Sequence, residues 1–187
     1  MEVKIGVSNR HVHLSEEDFK VVFRDEIPEK VKDLVQIGQY ASNLQVSIKT
    51  EKNTINNVRV LLPIRDYTQV EISKTDSYVL GIKPPVRMSG NLDGAALVTI
   101  VGKYGEVTKN VAIIAQRHIH INSEDRKELG LVGVEKVDVI VGNDKRSTLH
   151  DVYLKEDPNG VLEFHIDTDD ANGNFVNNGD LGQIVVD

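Results

Sequence analysis

Two short segments hold four of the six histidines: Arg10-His11-Val12-His13 and Arg117-His118-Ile119-His120. Strand side chains alternate between faces, so residues two apart project on the same side. Each pair therefore sets two imidazoles next to each other, as a metal ion requires. Imidazole without thiolate suits zinc, with cobalt, nickel or iron as further options. Two histidines need at least one more ligand. Glu71 sits inside the apolar alternation Thr68-Gln69-Val70-Glu71-Ile72-Ser73, with Val70 and Ile72 facing the other way. Taken alone it reads first as a solvent-facing residue; beside a histidine pair, a metal would supply the partner such a carboxylate needs. His165, in Glu163-Phe164-His165-Ile166-Asp167-Thr168-Asp169-Asp170, alternates in the same way and could complete a second set. Three ligands per metal would leave a position open to water or substrate, the pattern of catalytic rather than structural zinc. His150 has no paired histidine and reads as a surface or loop residue. The acidic run 167–170 lacks the spacing of a calcium loop and suits turn or capping roles.

Arg65, in Leu62-Pro63-Ile64-Arg65-Asp66, stands six residues before Glu71. Beside a metal site it would suit a phosphate or a developing oxyanion; a surface arginine paired with Asp66 fits the local sequence equally well. Ser89-Gly90-Asn91-Leu92-Asp93-Gly94 is a glycine-containing loop without the spacing of a P-loop or a dinucleotide fingerprint. There is no Gly-x-Ser-x-Gly elbow and no His-Glu-x-x-His helix. The chain has no cysteine, which removes thiol nucleophiles, disulfides and thiolate metal sites together. A covalent acyl-enzyme is thus disfavoured, and direct metal-assisted attack fits better.

These residues must be carried mainly by strands. Val3, Ile5 and Val7 alternate, as do Val58, Val60 and Leu62, and residues 137–141 are apolar and β-branched. Turn signals separate the runs at 51–53, 102–105, 142–144 and 157–160. Helices are expected over 15–24, 28–35 and 123–129. Dense short strands point to barrels or sandwiches. One internal repeat is clear: residues 10–18 recur as 117–125. Both copies follow an apolar strand, and both offer a helix-capping residue, Ser15 or Asn122, ahead of acidic residues. The unit strand, His-x-His, capped helix therefore occurs twice, as expected of two related substructures meeting at a pseudo-symmetric site. At 187 residues the chain suits one large domain or two small ones. A formal charge of −7 argues against a general nucleic-acid binder, and no apolar run approaches the ~20 residues a membrane helix needs.

The segments Ser8-Asn9-Arg10-His11-Val12-His13-Leu14-Ser15, Thr68 to Ser73, Gly81 to Gly90, Arg117 to His120 and His165-Ile166-Asp167-Thr168-Asp169 resemble, in order and over nearly the whole chain, the PduL-type phosphate acyltransferases. The resemblance implies a mainly β fold: two small β-barrel domains capped by short α-helices, one formed by residues 1–39 and 109–187 and the other by 40–108. It implies exchange of a short-chain acyl group between coenzyme A and phosphate. It implies two divalent ions, most often Zn2+, one held by His11, His13 and Glu71 and the other by His118, His120 and His165. Arg65 matches the family's catalytic, phosphate-contacting arginine. Ser8, Asn9 and Asn172 fall where the family meets coenzyme A, with Lys52 and Arg59 as further contacts. A homodimer is a family expectation, with no nucleic-acid or membrane partner. No microcompartment-targeting extension is seen, so a cytoplasmic enzyme is expected. The chain departs from the family pattern at Leu62, where glycine is common, at Asp170, where glutamate is common, and over 21–50; these bear on the coenzyme pocket. A zinc-dependent thioester or phosphoester hydrolase and a non-catalytic metal- or ligand-binding protein are the rival readings.

Overall fold

Alternating side chains become strands in the computed structural model, which describes residues 1–186. In chain order the elements are β1 (Glu2–Ser8), β2 (His11–His13), α1 (Glu16–Phe23), β3 (Lys30–Asp33), β4 (Tyr40–Lys49), β5 (Thr54–Leu62), β6 (Gln69–Glu71) and α2 (Lys74–Leu80). They continue as β7 (Val86–Arg87), β8 (Ala96–Val101), β9 (Glu106–Ala115), β10 (His118–Ile121), α3 (Ser123–Glu128), β11 (Lys136–Val141), β12 (Ser147–Glu156), β13 (Glu163–Asp167), α4 (Thr168–Asn174) and β14 (Leu181–Val185). The fold is mainly β, with barrels capped by short helices, as expected.

The chain forms two compact units. The first, Met1–Asn9, Val35–Ile37 and Gln116–Asp187, is a closed barrel in the order β1-β13-β10-β12-β11-β14, with β14 returning to β1. Its interior is filled by Ile5, Ile119, Ile121, Val139, Phe164 and their neighbours. The second unit, Arg10–Leu34 and Gly38–Ala115, closes through β4-β5-β2-β6-β9-β8, with β8 pairing back onto β4. Strands β3 and β7 lie on the flanks of that ring. Val12, Val58, Val60, Val70 and Ile100 fill its interior. These limits differ from the expected 1–39/109–187 and 40–108 division. Residues 10–34 and 109–115 fall in the second unit, because β2 is hydrogen-bonded between β5 and β6, and β9 between β6 and β8.

The strands around the histidines repeat in register. In the second unit β2 runs parallel to β5 and antiparallel to β6, placing His11 opposite Arg59 and Glu71. In the first, β10 runs parallel to β12 and antiparallel to β13, placing His118 opposite Tyr153 and His165. The next strand out is parallel in both: Ile113 of β9 opposes Glu71, and Gly6 of β1 opposes His165. Both histidine strands are thus led by a strand that belongs to the other unit.

The helix expected over 28–35 is instead β3, an exposed strand on β4. Its sequence Lys-Val-Lys-Asp has no apolar helical face, and its charges suit the rim of a sheet. Two helices were not anticipated. α2 starts at a capping box in which Ser73 and Asp76 satisfy each other's backbone N–H groups. α4 is capped by Asp167, whose side chain accepts from Asp170 N, so the acidic run does serve a cap. At seven residues each, neither shows an apolar period in the sequence. Among the described residues no helix is long and apolar enough to cross a membrane.

Candidate active site

In the second unit, pairing of β2 with β6 sets His11 opposite Glu71, Val12 opposite Val70 and His13 opposite Gln69. Val12 and Val70 enter the core, so the polar residues between them must share the outer face. They are nonetheless buried: His11 is 8 %, His13 3 % and Gln69 0 % exposed. The imidazoles of His11 and His13 stand edge to face, 5.0 Å between centroids, and His11 Nε2 lies 3.4 Å from Glu71 Oε2. One ligand atom from each of His11, His13 and Glu71 falls within 4.8 Å of the others.

The first unit builds the counterpart. His118, His120 and His165 also bring their ligand atoms within 4.8 Å of one another, and His118 Nε2 and His120 Nε2 are 3.1 Å apart. Two nitrogens on a tetrahedral zinc, each at about 2.0–2.1 Å, would be roughly 3.4 Å apart. His118 Nδ1 is 2.8 Å from the Gln116 carbonyl. A carbonyl only accepts, so Nδ1 carries the proton and Nε2 presents its lone pair. The donor sets, three imidazoles in one unit and two imidazoles with a carboxylate in the other, fit a zinc-type cation, and both triangles are largely withdrawn from water. All six sequence-predicted ligands are therefore brought into two sets of three. His150, exposed and bonded to Asp138 at 2.5 Å, takes no part.

Arg65 leaves the strand direction after β5. Its N–H bonds Leu14 O at 3.0 Å, and the segment bridges Ser15 at the start of α1. Its guanidinium Nη1 donates to Tyr67 Oη at 2.9 Å and to Ser89 Oγ at 3.1 Å, rather than pairing with Asp66. Arg65, Lys20, Lys109 and Thr68 line part of an open cleft of about 780 Å³ in the second unit; the six metal-type residues are not in its lining. Beneath it Asp18, 2 % exposed, is bonded to Lys109 Nζ at 2.7 and 2.9 Å and to the Thr68 hydroxyl. Burial alone would push the Asp18 carboxyl up, but the bonds from Lys109 and Thr68 hold it below the ordinary range.

The expected coenzyme contacts divide between the units. Ser8, at the end of β1, opposes Asp167 of β13, close in the chain to Asn9 and at the barrel end from which α4, with exposed Asn172, departs. Lys52 lies in the turn after β4 and donates to Tyr78 O at 2.9 Å. Arg59, beside His11 on β5, donates to Ser42 O at 2.9 Å.

Several residues were not singled out from the sequence. Gln69 Nε2 donates to Glu71 Oε1 at 2.6 Å and to Ser89 Oγ at 2.9 Å, so the carboxylate and Arg65 are joined through Gln69 and Ser89. Glu163 Oε2 accepts from His165 Nε2 at 2.6 Å. Burial pushes the Glu163 carboxyl up, and the bond and charge of His165, with Gln36, outweigh it and hold it below the ordinary range. Gly6 makes room for this pair: a Cβ there would lie 2.9 Å from the Glu163 carboxyl and 3.0 Å from the His165 ring. Finally, Arg10 forks onto Asp76 (2.9 and 2.8 Å) and Arg117 onto Asp170 (2.7 and 2.6 Å). The arginines were visible in the repeat; their partners lay in helices that were not expected.

Two barrels, a triangle of metal-type side chains on each and a tethered arginine make this a two-barrel protein with two candidate cation sites. Its family follows from its likeness to known proteins. A family model described as phosphate propanoyltransferase matches residues 4–177. The chain is 47 % identical over 184 residues to a phosphate propanoyltransferase of Thermotoga maritima, covering 97 % of this chain and 88 % of that protein. It is 45 % identical over 172 residues to one from Rhodobacter capsulatus (91 % and 80 % covered) and 43 % identical over 184 residues to one from Levilactobacillus brevis (98 % and 88 %). The chain belongs to the phosphate propanoyltransferase family and is an acyltransferase.

Proposed function

We propose that this chain transfers a short-chain acyl group between coenzyme A and inorganic phosphate by direct attack, with two divalent cations, zinc foremost, held by His11, His13 and Glu71 and by His118, His120 and His165. In the forward direction a phosphate oxygen bonds to the thioester carbonyl carbon, the C–S bond breaks and coenzyme A leaves as the thiolate; the products are acyl phosphate and coenzyme A. When bound, the cations supply Lewis acidity and positive charge. Arg65 binds the phosphate and stabilises the oxyanion of the tetrahedral intermediate. Its hydrogen bonds run to the neutral Tyr67 and Ser89, so its charge is not spent on a carboxylate there. Ser8, Asn9, Asn172, Lys52 and Arg59 contact the coenzyme, and the working enzyme is a homodimer. Positioning both reactants lowers the barrier by several kcal/mol, on the order of 7–11 at best.

The observation that carries this reading is the pair of ligand triangles on strands of equivalent register, with Arg65 tied to one of them through Ser89 and Gln69. The test mixes acetyl- or propanoyl-coenzyme A with phosphate, with and without a chelator, and follows thiol release and acyl phosphate together. The expected result is equimolar thiol and acyl phosphate, dependent on phosphate and abolished by chelation. Thiol release without phosphate would make the protein a hydrolase; turnover untouched by thorough chelation would remove the cations from the mechanism.

A further inference from the structure

The third ligand differs in type between the two triangles, Glu71 in one and His165 in the other, although β6 and β13 are paired in the same register. The residue two positions earlier, on the same strand face, changes with it. Gln69 opposes His13, and Glu163 opposes His120. Both are buried, at 0 % and 7 % exposed, where a polar side chain is costly unless bonded. Each makes its shortest hydrogen bond to the third ligand, at 2.6 Å in both cases.

The chemistry of the two contacts is complementary. An ionised carboxylate only accepts, so the group that steadies its outer oxygen must be a donor; the Gln69 amide is one. An imidazole that ligates through one nitrogen carries a proton on the other and needs an acceptor; the Glu163 carboxylate is one. Each partner is itself fixed. Gln69 Oε1 accepts from Gly90 N–H at 2.8 Å, which turns the NH2 end towards Glu71. The Gln36 side chain clasps the Val161 backbone at 2.9 and 3.1 Å, and its Nε2 reaches Glu163 Oε2 at 3.4 Å. Glu163 is not one of the three residues whose ligand atoms converge in its unit.

We infer that Gln69–Glu71 and Glu163–His165 are matched pairs, in which Gln69 and Glu163 are positioning residues chosen as the hydrogen-bond complement of the ligand that follows. The consequence is electrostatic parity. Each site holds one carboxylate, as a ligand in one unit and behind a ligand in the other, so both would present the same formal charge to a divalent cation. The inference rests on the reading of the two triangles as cation sites.

Transplanting a pair tests it. In the full chain, one site is emptied by His→Ala at its histidine pair, and the other is titrated with cobalt, its absorption spectrum recorded, and zinc affinity measured by competition with a chromophoric chelator. Glu163→Gln should weaken the three-histidine site about 10–100-fold. Gln69→Glu should weaken the other site to a similar degree, because two carboxylates would then face each other. Glu71→His should also bind weakly, whereas the double variant E71H/Q69E, which rebuilds the first unit's arrangement, should bind at least about tenfold more tightly than E71H, with a cobalt spectrum like that of the native three-histidine site. Circular dichroism of each metal-free variant checks the fold, and E163Q, nearly isosteric, carries the test if E71H unfolds. Unchanged affinity in E163Q and Q69E, or a double variant no tighter than E71H, overturns the inference while parental binding stands. A parent chain that takes up no cobalt or zinc overturns both it and the cation reading.

Discussion

Arg65 is steadied by a phenol and an alcohol rather than by a counter-ion, which suits the phosphate-binding role proposed for it. Arg65→Ala should therefore lower turnover by about a hundredfold or more while metal content, measured by elemental analysis, is unchanged; near-normal turnover would remove it from catalysis. Asp18 is the other residue whose charge has a readable consequence. Its carboxyl is held below its ordinary value of 3.8, so the folded state prefers the ionised form. That contribution is present above 3.8 and is lost as the pH falls through the lower folded-state value. Asp18→Asn should flatten the acid side of stability against pH, measured as urea midpoints from neutral to acid; an unchanged slope would contradict it. Of the residues that matter at this scale, the histidines were legible because imidazoles at i and i+2 carry meaning wherever a strand occurs. Gln69 and Glu163 were not, since a glutamine or glutamate in an alternating strand looks like a solvent-facing residue until the fold buries it.

At the scale of elements, the two arginines that precede the histidine pairs clamp the helices that follow the third ligands. Asp76 and Asp170 stand at the third position of α2 and α4, so each bidentate pair closes a loop of strand, ligand strand and helix. Lysine cannot reproduce a forked pair. Arg117→Lys should lower the melting temperature by several degrees, at about 2–4 °C per kcal/mol for a chain of this size, and should weaken metal binding in the first unit. Gly6→Ala should weaken the same site with the fold retained, because its Cβ would displace Glu163 and His165; unaltered zinc affinity would show that the pair tolerates the shift. The equivalent position in the second unit is Ile113, where no such glycine is needed. The sequence repeat at 10–18 and 117–125 revealed half of this arrangement. The other half, Glu71-Ile72-Ser73-Lys74-Thr75-Asp76 against His165-Ile166-Asp167-Thr168-Asp169-Asp170, shares only its isoleucine and final aspartate, too little to see before the strands are paired.

At the scale of the whole molecule, both units carry a candidate cation site that only the folded chain assembles, so metal bound there would also be folding energy. Each occupied site should add about 2.7 kcal/mol when metal is a hundredfold above its dissociation constant. Chelation should lower the melting temperature and zinc should restore it, as calorimetry would record; equal melting with and without chelator would contradict this. Two divalent ions would also bring the formal −7 to about −3. A barrel architecture was foreseeable from the density of short strands, but the unit limits were not, because strand order in a closed sheet is set by pairings between distant residues. The exchange of leading strands has a consequence for synthesis. β1 leaves the ribosome ahead of β2–β12, yet its partners β13 and β14 leave after them. At about 5–20 residues per second, the N-terminal strand waits roughly ten to thirty seconds with its hydrogen-bonding edges open. Meanwhile every strand of the second barrel has already emerged by Ala115. Newborn chains should therefore pass through a stage with one barrel formed and a sticky leading strand, the stage at which a chaperone would be most useful and at which stalled translation would most readily lead to aggregation.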